Sequence, residues 1–131
     1  MIRSIFTWFE GNYVMTVLCS LLVCIALFMP GDPDPGPEIP HLDKLVHLLL
    51  FGGLCFCWLM LRINENASRY VITVLLALIL FTVGSEIIQF YWIPLRSGDW
   101  LDGLADFAGI LMGLIVYRQW LKTKQSKAVK Q

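Results

Sequence analysis

Residues 86–113, EIIQFYWIPLRSGDWLDGLADFAGILMG, form the stretch that decides the fold. The stretch holds the end of one apolar helix, a short polar turn and the start of another apolar helix. Ionisable groups are costly at membrane depth, so those that occur there are candidates for a functional site. Six polar side chains lie within or beside these apolar runs: Glu86, Gln89, Arg96, Asp99, Asp102 and Asp106.

The composition of the whole chain indicates a membrane protein. Of its 131 residues, 57% are hydrophobic and only 15% are charged. The apolar residues come in long blocks, which is typical of membrane spans. The formal net charge is zero, so we expect no nucleic-acid partner. Four cysteines within the apolar runs are interpreted as small buried hydrophobic residues: Cys19, Cys24, Cys55 and Cys57.

Four apolar runs predict an all-α membrane protein built as a bundle of four transmembrane helices. Together they form one membrane domain over residues 13–117. Residues 1–12 are predicted as an interfacial segment, because apolar side chains recur there at helical spacing. Residues 31–40, GDPDPGPEIP, predict a loop, since this run of proline and glycine cannot be helical. Residues 118–131 form a basic tail. The spans are expected at about residues 13–29, 45–61, 71–93 and 101–117.

The distribution of lysine and arginine predicts which side of the membrane each loop faces. Eight of these residues fall in the two tails and the second loop, against two in the first and third loops. Cytoplasmic loops carry the excess of positive residues, so both termini are expected in the cytoplasm. The eight are Arg3, Arg62, Arg69, Arg118, Lys122, Lys124, Lys127 and Lys130; the two are Lys44 and Arg96.

This topology places three ionisable side chains at similar depth in the outer half of the bundle. At 1.5 Å per residue, His47 lies about 6 Å inside its span, and Glu86 and Asp106 each lie about 10 Å inside theirs. We therefore expect Glu86 and Asp106 to approach each other within an outward-facing polar pocket. The residues assigned to this pocket are Asp43, Lys44, His47, Glu86, Gln89, Arg96, Asp99, Asp102 and Asp106.

Two glycines predict where helices pack closely. Asp102, Asp106, Gly109 and Gly113 fall on one face of the last span, within about 60° of one another. Glycines spaced four residues apart let a neighbouring helix approach closely in a membrane. Gly109 and Gly113 are therefore predicted to pack against another helix, below the carboxylates.

Several of the polar residues also fit ordinary structural roles. Asp99 and Asp43 could cap the helices that follow them. Gln89 could join two helices by a hydrogen bond, and His47 could be a neutral packing residue. Arg96 could anchor at the headgroups, although so many nearby carboxylates favour an arginine that is held inward by them.

The order and spacing of these residues resemble the VanZ-like family of small bacterial membrane proteins. The family is named for a protein associated with resistance to the glycopeptide antibiotic teicoplanin. One residue departs from the family pattern, because Asp106 stands where the family usually has asparagine. The resemblance covers roughly residues 40–117. It implies an integral protein of the bacterial plasma (inner) membrane but no particular reaction. The matching motifs are Asp43-Lys44-x-x-His47, Glu86-x-x-Gln89, Pro94-x-Arg96, Asp102, Asp106, Gly109 and Gly113.

Three functions are compatible with such a pocket. The first is binding of a lipid-linked or cell-wall-related molecule, with an effect on glycopeptide susceptibility and with membrane lipids as partners. The second is an intramembrane enzyme acting on a lipid, with His47 as acid and base and Glu86 or Asp106 as its partner. The third is a component of proton- or cation-coupled transport, which four spans could form only as a homo-oligomer.

The net charge of the pocket limits which ligands these functions could involve. The pocket has five acids against two fixed bases, Lys44 and Arg96, so its net charge is −3 when His47 is neutral. An anion would be repelled unless some carboxylates are protonated or a cation is also bound. The sequence assigns no cofactor and no metal ligands.

Overall fold

A computed structural model describes residues 2–31, 41–62, 67–95 and 99–128, and all regular structure in them is helical. Residues 32–40 of the expected loop and Arg96 lie outside the described residues. The helices are α1 (Ile2–Phe9), α2 (Tyr13–Phe28), α3 (Leu42–Met60), α4 (Ala67–Trp92) and α5 (Trp100–Ala128).

Local capping explains where two of the helices begin. Gly11 has a φ of +65° and separates α1 from α2, and the Asn12 side chain then accepts a hydrogen bond from the Met15 amide at 3.1 Å. At the start of α5, the Asp99 side chain accepts a hydrogen bond from the Leu101 amide at 3.0 Å. Asp99 therefore has its expected capping role. His41, and not Asp43, occupies the cap of α3.

Length and composition make α3, α4 and α5 able to span a membrane. With 16 residues, α2 is apolar but shorter. Large apolar side chains remain exposed along α2 and α4, more than a soluble monomer normally leaves in water. This surface and the three long helices are those of an all-α membrane protein. The exposed residues include Leu18, Leu21, Leu22, Ile25, Ile72, Leu76, Leu80 and Val83.

Helices α3, α4 and α5 are longer than the apolar runs alone predict, whereas α2 ends one residue before the expected residue 29. The helix α3 begins at Leu42, ahead of the expected residue 45, so the first polar residues of its span are helical. The helix α5 continues to Ala128, well into the basic tail expected at 118–131. Trp120 Nε1 and Lys124 Nζ donate hydrogen bonds to the Glu10 carboxylate at 3.1 and 2.7 Å. These long-range contacts stabilise the extension.

Helices α2 to α5 run up and down. Two backbone hydrogen bonds show how the ends align: the Gly31 amide donates to the Pro94 carbonyl at 3.1 Å, and the Gly11 amide donates to the Met60 carbonyl at 3.0 Å. We call the end where α2 and α4 finish and α3 and α5 begin the polar end. Helix α1 lies at the opposite end, where Phe6 packs against Phe56 and Trp120 with ring centroids 5.4 and 5.3 Å apart.

The closest helix pair is α3 and α5, which meet along a seam of three glycines, Gly52, Gly109 and Gly113. A Cβ on Gly109 would overlap the Leu48 carbonyl oxygen and lie 3.0 Å from the Gly52 nitrogen. A Cβ on Gly113 would lie 2.5 Å from the Gly52 carbonyl oxygen. The glycine face of α5 thus packs against α3, and Gly52 on α3 is the counterpart that sequence analysis did not identify.

Substitution along this seam should separate the two helices. We expect Gly109→Ala to lower the free energy of unfolding by about 1–3 kcal/mol, because its Cβ meets backbone atoms that cannot rotate away. Gly84→Ala on α4 is the control, since a Cβ there has nothing within 4 Å. The better helix propensity of alanine should leave that variant as stable as the wild type or more so. Denaturant unfolding in detergent, followed by circular dichroism, measures both. Equal stability of the two variants would contradict the seam.

Candidate functional site

The expected polar residues form two clusters at the polar end, and the first is organised around Lys44. Its Nζ lies 3.0 Å from Asp43, 3.0 Å from Asp99 and 3.1 Å from Asp102. Asp43 and Lys44 belong to the first turns of α3, while Asp99 and Asp102 lie at the start of α5. We call this set the lysine cluster. It joins the two glycine-packed helices at their common end.

The three contacts use all the hydrogen-bonding capacity of Lys44. A lysine ammonium has three N–H donors, and here each has a carboxylate partner. An incoming phosphate or carboxylate would have to displace one of these acids. The contacts of Lys44 are therefore those of a clamp between α3 and α5.

Asp99 has two roles in this cluster. Its carboxylate accepts from the Leu101 amide and also pairs with Lys44. The Leu101 amide first, and Lys44 second, hold the pKa of Asp99 below its ordinary value of 3.8. A folded-state pKa below the unfolded one means that Asp99 stabilises the fold above about pH 4 and that this contribution is lost as the pH falls further.

The second cluster lies one helical turn farther from the polar end and joins three helices. His47 comes from α3, Glu86 from α4 and Asp106 from α5. His47 Nδ1 lies 2.9 Å from Asp106 Oδ1. Each of the three side chains has one possible metal-ligand atom, and these three atoms lie within 4.8 Å of one another. His47 and Asp106 are 6% and 0% exposed. We call this set the histidine cluster, and it contains the expected approach of Glu86 to Asp106.

Two oxygens of the histidine cluster are buried without a hydrogen-bond partner among the described residues, Glu86 Oε1 and Asp106 Oδ2. Buried polar atoms are normally paired, because an unpaired one has lost its hydration without compensation. The histidine cluster therefore differs from the lysine cluster, in which the cation and its acids satisfy one another.

The contact between His47 and Asp106 also has chemical consequences. A hydrogen bond from Nδ1–H to a carboxylate fixes the neutral tautomer and leaves Nε2 as an acceptor. In that tautomer the imidazole can act as a base through Nε2. In the other tautomer Nδ1 is unprotonated and can bind a metal ion beside the Asp106 carboxylate. The carboxylates of Glu86 and Asp106 are further possible metal ligands.

The remaining residues assigned to the pocket have other surroundings. Gln89 is 3% exposed, and its Nε2 donates to the Leu27 carbonyl at 2.9 Å, in the last turn of α2. Its amide therefore joins α4 to α2, the packing role that the sequence left open. The expected pairing of Arg96 with the acids lies outside the described residues.

A cleft of about 300 Å³ opens beside His47, between α2 and α3. Asp43 and His47 are polar residues of its lining, and the other lining residues are apolar. Sequence analysis did not identify this cleft, because a residue's spacing along α3 does not tell which neighbouring helix it faces. The apolar lining consists of Ala26, Leu27, Leu42, Val46 and Leu50.

Comparison with protein-family models, with curated proteins and with solved structures finds no match for this chain. The chemistry of the site therefore rests on its own residues and geometry.

Removing the cation of the lysine cluster should destabilise the polar end. Lys44→Met leaves Asp43, Asp99 and Asp102 close together without a counter-charge, so we expect a lower unfolding temperature in detergent. Lys122→Met removes the same charge from an exposed position on α5 and should leave the unfolding temperature near that of the wild type. A Lys44→Met protein as stable as the control would show that the cluster contributes nothing to the fold.

Proposed function

We propose that this chain is a four-span protein of the bacterial plasma membrane, similar to the VanZ-like family, with both termini in the cytoplasm. Its polar end then faces outward. We propose further that this end binds the polar head of a lipid-linked or cell-wall-related molecule, and that binding alters susceptibility to glycopeptide antibiotics such as teicoplanin.

The hydrogen bonds at the two ends of α2 support a fourth span. Sixteen residues reach about 24 Å at 1.5 Å per residue, somewhat less than the roughly 30 Å of a bilayer core. However, Gly11 joins the start of α2 to the end of α3, and Gly31 joins its far end to the end of α4. Because α3 and α4 are long enough to span a membrane, these contacts at both ends of α2 support the proposal that α2 spans it with them.

The charge distribution supports the orientation of the bundle. Seven of the eight lysines and arginines of the tails and the second loop are among the described residues, and they lie toward the opposite end. Lys44 of the polar end is already neutralised by three acids. Positive residues accumulate on the cytoplasmic side, which assigns the opposite end to the cytoplasm.

The orientation is tested by labelling single cysteines in a cysteine-free parent. We expect Ser97→Cys, between α4 and α5, to react with a membrane-impermeant maleimide on intact spheroplasts. Ser126→Cys, near the end of α5, should react only after permeabilisation. The parent without cysteines is the control for background. Labelling of both positions from the same side would contradict the proposed topology.

The observation that carries the binding function is the composition of the cleft beside His47. Its polar part, Asp43 and His47, lies near the polar end, and its apolar part runs along α2 and α3. A site with a polar end and apolar walls suits an amphiphile whose head meets the polar residues while its chain lies along Leu27, Val46 and Leu50.

The charges near the cleft indicate which head groups of an amphiphile would bind there. Lys44 has no free donor, and Asp43 and His47 present acceptors. Heads rich in hydroxyl or amine donors, such as sugars or amino compounds, would be favoured over bare anions. An anionic head would need to bring a cation with it.

The cleft is tested by filling it. Val46→Trp places a large side chain in the cleft from a half-exposed position, so we expect the purified protein to lose its bound amphiphile. Val83→Trp is the matched control, since Val83 is similarly exposed on α4 but does not line the cleft. Mass spectrometry of the co-purifying lipids measures the difference. An identical set of bound lipids in both variants and the wild type would overturn the proposal.

The pairing of His47 with Asp106 favours a second candidate, an intramembrane enzyme acting on the same amphiphile. A buried imidazole held by a carboxylate at 2.9 Å is suited to proton transfer. The lipid analysis separates the two candidates, because a binding protein returns its ligand unchanged while an enzyme accumulates a product that disappears in His47→Gln.

A further inference from the structure

The histidine cluster brings together three different kinds of metal-binding side chain from three separate helices. A ring nitrogen of His47 and one carboxylate oxygen each of Glu86 and Asp106 lie within 4.8 Å of one another. Asp106 is completely buried, and His47 is 6% exposed. Such convergence needs the close packing of α3 and α5 as well as the correct height of α4.

The unpaired oxygens point to a missing partner inside this cluster. Asp106 uses Oδ1 for His47, while its Oδ2 is buried and has no partner among the described residues. Glu86 Oε1 is in the same situation. A buried carboxylate oxygen that lacks a donor has lost its hydration, and a cation or a proton is needed to offset that loss.

The lysine cluster cannot supply this compensation. The three donors of Lys44 are taken by Asp43, Asp99 and Asp102. When His47 is neutral and the carboxylates of Glu86 and Asp106 are both ionised, the histidine cluster carries two negative charges. A divalent cation has the matching charge.

We propose that His47, Glu86 and Asp106 together bind one divalent transition-metal cation, with Zn²⁺ as the preferred ion. One imidazole nitrogen with two carboxylates is a mixed nitrogen and oxygen donor set, which suits Zn²⁺ better than the all-oxygen sites of Ca²⁺ or Mg²⁺. Donors on a single zinc ion lie about 2.0–2.2 Å from it, so no two can be more than about 4.4 Å apart. The three ligand atoms already lie within 4.8 Å of one another, so closing around one ion needs at most a small side-chain movement.

Three protein ligands leave a coordination position open. His47 also lines the cleft between α2 and α3, so the metal site and the cleft have this residue in common. A metal ion would provide the positive charge that an anionic head requires and that Lys44 cannot give. The metal site rests on the histidine cluster alone and holds whether or not the cleft binds an amphiphile.

The test measures metal on the whole chain, purified in detergent with a tag that contains no histidine. After treatment with a chelator and addition of Zn²⁺, we expect about one ion per chain by elemental mass spectrometry. Changing even an outer-shell partner of a metal typically costs 10–100-fold in affinity. We therefore expect His47→Gln, Glu86→Gln and Asp106→Asn each to weaken Zn²⁺ binding by at least about 100-fold in calorimetric titration.

Matched controls distinguish this site from non-specific binding. His41→Gln removes the other histidine of the chain, which lies just before α3 and outside the cluster. Glu10→Gln removes an acid that pairs with Trp120 and Lys124 at the opposite end. Both variants should bind Zn²⁺ as the wild type does. Equal loss in the controls, or no loss in the three cluster variants, would overturn the proposal.

Cobalt provides a readout that does not depend on the stability of a variant. Co²⁺ added to the wild-type protein should give a visible d–d spectrum of nitrogen and oxygen ligation, and Zn²⁺ should displace it. If the folded wild-type protein binds neither ion stoichiometrically, the proposal is wrong, and a proton or a cationic side chain neutralises the carboxylates instead. Val46→Trp should lose the amphiphile and keep the metal, so that failure of one proposal is distinguishable from failure of the other.

Discussion

The close packing of α3 against α5 is the constraint on which the rest of the structure depends. Gly109 touches the backbone at Leu48 and Gly52, and no larger side chain would fit there without displacing a helix. Because His47 precedes Leu48, and Asp106 lies one turn before Gly109, the same approach brings His47 Nδ1 to within 2.9 Å of Asp106. The glycine seam thus determines both the register of the helix pair and the geometry of the polar residues above it.

This register produces two layers of polar residues, which differ in how their carboxylates are paired. In the outer layer, one lysine meets three carboxylates, of which Asp43 is 58% exposed at its side chain and Asp102 only 12%. In the layer one turn deeper, two carboxylates share one histidine, and two of their oxygens have no partner among the described residues. Structural ion pairs explain the first layer, whereas the second has the incomplete pairing expected of a binding or reactive site.

At the opposite end of the bundle, the acid Glu10 has a structural role and is fully paired. Glu10 receives hydrogen bonds from Trp120 and Lys124 and so fixes the extension of α5 beside α1. Phe6 and Phe56 close that end with an edge-to-face contact of 5.4 Å. Glu10 is thus paired through both carboxylate oxygens, whereas Glu86 and Asp106 each keep one buried oxygen without a hydrogen-bond partner among the described residues.

Much of the architecture was determined by the sequence itself. Apolar run length identified the long helices, and the 3.6-residue period placed Asp102, Asp106 and the two α5 glycines on one face. The position of Asp99 just before the last span indicated its capping role. Equal depth along neighbouring spans also brought Glu86 and Asp106 together in the expected site, because distance along a helix follows directly from residue number.

Only the tertiary structure decided which faces meet. Helix–helix association in a lipid environment depends on close packing and specific hydrogen bonds rather than on a general hydrophobic force, so the pattern of one helix does not name its partner. The α5 glycines pack against α3 through Gly52, and Gln89 turns to the Leu27 carbonyl of α2. The pairing of Lys44 with Asp99 and Asp102 and the extension of α5 beyond Tyr117 likewise arise from contacts between residues far apart in sequence, which local spacing cannot encode.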